Sequence, residues 1–248
     1  MKTNQQSNKR TVISLFLTLL FVGFAVAQKS VSASDIMADI KAGKDISYEN
    51  VTVTGDLDMT FMEEKLPDLP KKRKWWKNGG SNSVEEQIES SISFKNCTFE
   101  GNVYAYFHDD EFLGTGSKYT FIANFEDDVT FENCTFKEDA LFKYSEFDQD
   151  ASFAGSEFNE RTTFKYAEFE NNVSFANTNF RESAVFKYTQ FKEGVSFNNA
   201  KFMDNLDIKY MEVRGNFDAK NMTVSNRIDA KYTDINDDGL SKYLLKNN

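Results

Sequence analysis

Between residues 131 and 202 the apolar positions fall on phenylalanine at gaps that alternate five and six: Phe131, Phe136, Phe142, Phe147, Phe153, Phe158, Phe164, Phe169, Phe175, Phe180, Phe186, Phe191, Phe197 and Phe202. An amphipathic helix needs apolar residues three and four apart, and a half-buried strand needs simple alternation. Neither template fits. A small or modest side chain stands two positions before nearly every Phe, among them Cys134, Ala140, Ser145, Ala151, Ser156 and Thr162. In an extended segment residues i and i−2 point to the same side. The pattern therefore predicts short strands, each turning one Phe and one small residue inward, separated by polar residues suited to turns. Four units make a coil of 22 residues, and FKYSEF at Phe142 returns as FKYAEF at Phe164 and FKYTQF at Phe186. A fixed period over many copies marks a solenoid, whose units bury their apolar side only by stacking on neighbours.

The register continues upstream once two insertions are removed. FKNCTF at Phe94 matches FENCTF at Phe131 across 37 residues, one period plus 15. YENVTV at Tyr48 aligns with Phe94 across 46 residues, one period plus 24. About seven coils follow, starting near Tyr48, Phe94, Phe131, Phe153, Phe175, Phe197 and Phe217, with insertions at about 65–90 and 105–119. At ~4.8 Å between paired strands, the rod is roughly 30–35 Å long. The expected organisation is a capping segment over 28–47, coils over 48–235 and a C-terminal capping helix over 236–248. The N-terminal helix takes Ser34 as N-cap and Gly43 as stop.

This alternation of five- and six-residue units, with a central Phe after a small residue, resembles the phenylalanine-rich variety of the pentapeptide-repeat family, from about Tyr48 to Ile235. The resemblance implies an all-β fold, a right-handed quadrilateral parallel β-helix. The extra residue in every eleven departs from the simplest family pattern and suggests bulged corners.

Charge and the N-terminus add a compartment. Lys2, Lys9 and Arg10 precede an apolar run from Val12 to Phe24 and the small-residue site Ala25-Val26-Ala27, the three parts of a secretory signal peptide over 1–27. Its removal leaves 26 basic residues against 39 acidic ones, a net charge of −13. Such a surface repels nucleic acid, so no nucleic-acid partner is expected.

Candidate chemistry is sparse. His108 is the single histidine, placed in the second insertion, and reads as a loop residue; neither a catalytic nor a metal site is expected, and no cofactor. Asp234, Asn236, Asp238 and Gly239 look like the opening of a calcium loop, but the twelfth position is Leu245 where a bidentate Glu is needed, so a turn is expected instead. Cys97 and Cys134 share one inward column, as buried small thiols or as a disulfide that export would permit. A surface stripe repeats Lys-Tyr at Lys143-Tyr144, Lys165-Tyr166, Lys187-Tyr188 and Lys209-Tyr210, with rings and lysine stems covering the rod wall or contacting sugars or anionic polymers. The first insertion holds both Trp in a basic run, Lys71, Lys72, Arg73, Lys74, Trp75, Trp76 and Lys77. Basic residues beside Trp suit an envelope component such as lipopolysaccharide or anionic lipid, or a protein. The expected function is an exported, non-enzymatic structural or binding rod of a bacterial envelope. An acidic nucleic-acid mimic that binds a DNA-handling enzyme and a polysaccharide-acting β-helix enzyme are the alternatives.

Overall fold

A computed structural model describes residues 29–69, 82–108 and 119–247. The expected signal peptide over 1–27 and the basic run Lys71–Lys77 lie outside the described residues. The chain winds as a parallel β-helix with four flat faces, its strands forming sheets of seven, eight, seven and eight strands. In the coil around Phe131 the first face is Val129–Glu132, the second Thr135–Phe136, the third Ala140–Leu141 and the fourth Glu146–Phe147. Each pairs in parallel with its equivalent one period on: Thr130 with Ser152, Phe136 with Phe158, Ala140 with Thr162, Phe147 with Phe169. Seven rungs result, and the fourteen Phe from Phe131 to Phe202 are all buried inside them.

The alternating gaps have a backbone cause. The five-residue gaps from Phe142 onward contain a β-turn closed by an i+3 N–H, as from Ala167 to the Phe164 carbonyl (2.9 Å), with a left-handed residue at the third position; at Phe131 the Cys134 N–H turns to Ser156 Oγ (2.9 Å) instead. This is the type II pattern, which favours Asn or Gly there. Between the first and second faces that residue is Asn50, Asn96, Asn133, Gly155, Asn177, Asn199 or Asn221, with φ near +55° except +70° at Gly155. Between the third and fourth faces it is Tyr144, Tyr166, Tyr188, Tyr210 or Tyr232. The six-residue corners contain no such turn and absorb the extra residue. A hydroxyl or carboxylate just before the turn accepts the amide two residues on, as Thr163 does from Lys165 (3.2 Å) and Asp207 from Lys209 (3.0 Å).

Where the small residue after a tight turn carries a hydroxyl, it ties one rung to the one before. Ser156 Oγ donates to the Phe131 carbonyl at 2.6 Å, Thr189 to that of Phe164 at 2.7 Å and Thr233 to that of Ile208 at 2.6 Å. Cys97 and Cys134 stand in the same kind of position, their thiols directed at the Tyr48 and Phe94 carbonyls (3.6 and 3.4 Å). Both are free and buried, so they fill the small-residue column as thiols. The interaction between the two thiols lowers the Cys97 pKa to about 7 and, together with burial, pushes that of Cys134 up.

On the Asn corner the amides form their own ladder: Asn199 Nδ2 donates to Asn177 Oδ1 (3.2 Å) and Asn221 Nδ2 to Asn199 Oδ1 (2.9 Å). Gly155 interrupts it, and a Cβ there would crowd the movable Asn133 side chain, Oδ1 at 2.1 Å and Cγ at 3.2 Å, with the Asn133 backbone at an ordinary 3.7 Å. Asn tolerates the left-handed turn and restricts the unfolded chain. Gly155→Asn should therefore raise stability by about 0.5–1 kcal/mol in urea denaturation; a loss would show that the Asn133 side chain cannot yield.

Three details differ from the sequence expectations. The N-cap of α1 (Ala33–Lys41) is Ser32, whose side chain accepts from the Ser34 N–H, so the helix begins earlier than a Ser34 cap allows. It ends as expected at Gly43 (φ +66°), where Gly43 N–H reaches the Ile40 carbonyl and Lys44 N–H that of Asp39. The seventh coil keeps its 22-residue register: Val195 pairs with Phe217, so Phe217 occupies the small-residue column and Ala219 the Phe column. Counting apolar residues alone misplaces that start by two. Finally, Ser83–Ile88, within the span expected as insertion, is a ladder strand of the fourth face, parallel to Thr120–Phe125.

Both excursions leave at the corner between the third and fourth faces, in the first two coils. The first starts after Met59 with α2 (Met62–Lys65). The second sends out Tyr106–His108, antiparallel to Thr120–Ile122. Together they form a flap with its own small core of Met62, Phe107, Tyr119 and Phe121. Strand Lys29–Ser32 and α1, which buries Ala33, Ile36 and Ile40, close the N-terminal end. Helix α3 (Leu240–Asn247) closes the other, with Tyr243 Oη donating to the Phe217 carbonyl (3.2 Å). Such caps cover rung edges that would otherwise pair with another chain.

Candidate functional site

The Lys-Tyr stripe is the most ordered surface of the rod. It runs along a corner, not along a flat face, because each Tyr is the left-handed residue of a tight turn (φ +58° to +66°). For a bulky side chain that conformation is an outlier, costing about 1–2 kcal/mol per residue. The chemically equal corner on the opposite side uses Asn or Gly. Part of the strain is offset by ring stacking: centroids are 5.0 Å apart for Tyr144–Tyr166, 4.7 Å for Tyr166–Tyr188, 4.6 Å for Tyr188–Tyr210 and 4.8 Å for Tyr210–Tyr232. Such pairs contribute about 0.5–1.5 kcal/mol each. The ring faces are thereby used up between neighbours, and a ligand meets edges and hydroxyls.

The lysines line one side of this stack. Lys143, Lys165, Lys187 and Lys231 hold their ammonium groups 4.7–5.2 Å from the centroid of the following Tyr ring. Lys143 Nζ also donates to Tyr106 Oη (2.9 Å). Lys209 turns aside to Asp229 (2.8 Å). On the other side, the outward positions of the fourth face place Glu146, Glu168, Gln190 and Glu212 in register. These are not neutralised by the stripe lysines: Lys192 pairs with Glu168 and Glu170, and Arg214 with Glu212. Burial, with Asp148, Glu168 and Glu170 nearby, pushes the Glu146 carboxyl above its ordinary range. Burial also raises the Tyr144 and Tyr188 hydroxyls.

Between the tyrosine and carboxylate columns lies a groove of about 390 Å³, lined by Tyr144, Tyr166, Tyr188, Glu146, Glu168 and Gln190. The flap closes its upper end with Ser83, Glu85 and Ile122. The structure extends the stripe by Tyr232 and by Tyr106, whose ring lies 5.9 Å from that of Tyr144. Lys231-Tyr232 continues the 22-residue period and was readable; Tyr106 precedes an insertion and was not.

The remaining candidates take structural parts. His108 Nδ1 shares a hydrogen bond with Thr120 Oγ1 (2.8 Å) across the flap hairpin. Asp234 to Gly239 makes a turn into α3, with Asp234 paired to Arg214 (3.2 Å) and Asp238 to Lys242 (2.5 Å). Among the described residues there is no group of three or more potential metal ligands, and no helix is long and apolar enough to cross a membrane.

Fold and surface columns together define a structural repeat protein of the parallel β-helix class. The family model for pentapeptide repeats (9 copies) matches residues 123–168 and again 164–212, so this stretch of the chain is built of pentapeptide repeats. No curated protein and no solved structure matches it.

Proposed function

We propose that the protein is an exported, non-enzymatic rod that binds or braces other components of a bacterial cell envelope. One observation carries the reading: an unbroken ladder of buried Phe makes a stiff shaft, and that shaft holds outward side chains in columns at the rung spacing. A stiff scaffold with repeated columns suits repeated contact along a partner. Export rests on the basic, apolar and Ala25-Val26-Ala27 segments. The run Lys71–Lys77 with Trp75 and Trp76 would add a local contact to an anionic envelope component on an otherwise acidic molecule. Cell fractionation followed by intact-mass measurement tests the compartment. The expected product lies outside the cytoplasm and begins at Gln28; a cytoplasmic protein that retains Met1 to Ala27 would refute export. Crosslinking in intact cells, comparing wild type with a chain lacking residues 71–77, then reports whether the basic run holds a partner.

A further inference from the structure

We infer that two copies of this chain join through their C-terminal ends, about a two-fold axis, into one rod of twice the length. The warrant is that α3 closes its end on one side only. It lies against Asp234–Ile235 on the fourth face, and its Tyr243 ring stands edge-on to Phe217 on the first at 5.5 Å. The second and third faces finish on Thr223–Val224 and Ile228–Asp229, the last strands of their sheets. Val224 and Ile228 stand in the inward columns, in register with Phe202 and Leu206, which are wholly buried one rung earlier. Yet Val224 is only half-buried, and Ile228 is 41% exposed. The backbone shows the same gap. The Phe202 carbonyl accepts from Ser225 N–H (2.8 Å), and Ile208 N–H donates to the Asp229 carbonyl (2.9 Å). Their counterparts in the last rung, the Val224 carbonyl and Ala230 N–H, have no further rung to meet, and open rung edges of this kind invite another chain.

Three observations select a second copy as the cover. Of the six large apolar side chains exposed among the described residues, five lie from Met203 onward, and Leu245 on α3 is 85% exposed. The end therefore has an uncovered apolar half beside a helix with an unused leucine, and a second copy of the same end supplies each to the other. A two-fold axis lays α3 of one copy over the second and third faces of its partner, with Leu245 against Ile228 and Val224. Charge permits the approach. The whole chain carries a net charge of −10, but from Ala219 to Asn248 it has five basic residues against four acidic ones. Two such ends meet without the repulsion that two rod walls would suffer. Finally, the opposite end is closed by strand Lys29–Ser32 and by α1, with Ile36 and Ile40 buried. A head-to-tail contact has no open surface there, so the contact is isologous and closes at two copies.

Sedimentation velocity of the full mature protein across the micromolar range tests the inference. The mass should rise from one chain to two and stop there. Added salt should favour the dimer, because it screens the repulsion between two acidic rods while leaving the apolar contact intact. Small-angle scattering should give the dimer a longest dimension close to twice that of the monomer. Ile228→Glu and Leu245→Glu change exposed side chains, so circular dichroism should show an intact rod in both. Each should raise the dimer Kd tenfold or more, whereas Glu146→Gln on the rod wall should leave it unchanged. Should Ile228→Glu unfold, Leu245→Glu decides alone. Ile228→Cys and Leu245→Cys chains, mixed under mild oxidation, should crosslink to each other more than either does to itself, since Cys97 and Cys134 are buried. The inference is overturned if wild type stays a single chain throughout, if its mass climbs past two, if both Glu variants pair as well as wild type, or if the dimer is no longer than the monomer. Any of these results leaves the binding-rod reading standing, which needs only one copy.

Discussion

Replacing Phe164 with Ala should lower stability by about 3–5 kcal/mol, the range for deleting a fully buried ring that leaves a cavity. Phe164 stacks on Phe142 at 5.0 Å and Phe186 at 5.1 Å. It meets Phe153 and Phe175 edge-on at 5.1 Å, and it is wholly buried. Neighbouring rungs cannot close the gap, because parallel strand pairing fixes their spacing and each ring already has its own stack. Because each rung contacts only its neighbours, a hole in the middle weakens the coupling between the two halves of the rod. Met222→Ala, in the last coil and only partly buried, should cost well under half as much. Urea denaturation of both variants decides the matter; equal losses, or a near-neutral Phe164 change, would contradict an inward ladder that is deepest in mid-stack.

The second large effect is expected at Gly194. Its φ of +121° is closed to residues with a side chain, and it pairs directly with Asn216 in the next rung. A Cβ there would stand 2.4 Å from the Asn216 carbonyl oxygen and 2.8 Å from its nitrogen. Both are backbone atoms held by the ladder, so two rungs must part to admit a methyl group. Gly194→Ala should cost about 2–4 kcal/mol, the upper range for overpacking. Gly43→Ala is the comparison that isolates the steric part. Gly43 is also left-handed but has nothing within 4 Å of its would-be Cβ, so only the conformational cost of about 1 kcal/mol applies. If the two variants lose the same stability, the rung contact at Gly194 is not the cause.

The coil was legible because burial writes itself into sequence spacing: a Phe and a small residue two positions earlier must recur wherever the chain passes the core. That signal fades where the core signal changes kind. Phe217 looks like the next member of its series, yet it fills the small-residue column, since only pairing to Val195 fixes the register there. Strand Ser83–Ile88 carries Glu85 and Glu86 in its middle and keeps its one fully buried residue, Ile88, at the end. The stripe was visible as a repeat of Lys-Tyr, but its geometry was not. Left-handed backbone is announced by Asn or Gly, and at Tyr144, Tyr166, Tyr188 and Tyr210 the announcing residue is missing. The five-residue gap shared by both corners was the one available clue.

From Phe131 onward every pairing along the shaft joins residues one full period apart, with equivalent backbone positions meeting at each step. Length in this molecule is therefore quantised. A gene that lost or duplicated one turn of the coil would yield a shorter or longer rod whose seams still match, with both end caps and the flap unaltered. A gain of any other size inside a face would throw Phe onto the surface and polar residues into the core, whereas the two excursions keep the register because they leave at a corner. Copying errors in whole turns are thus the mutations this architecture tolerates best, and the number of rungs can drift during descent while the cross-section stays fixed.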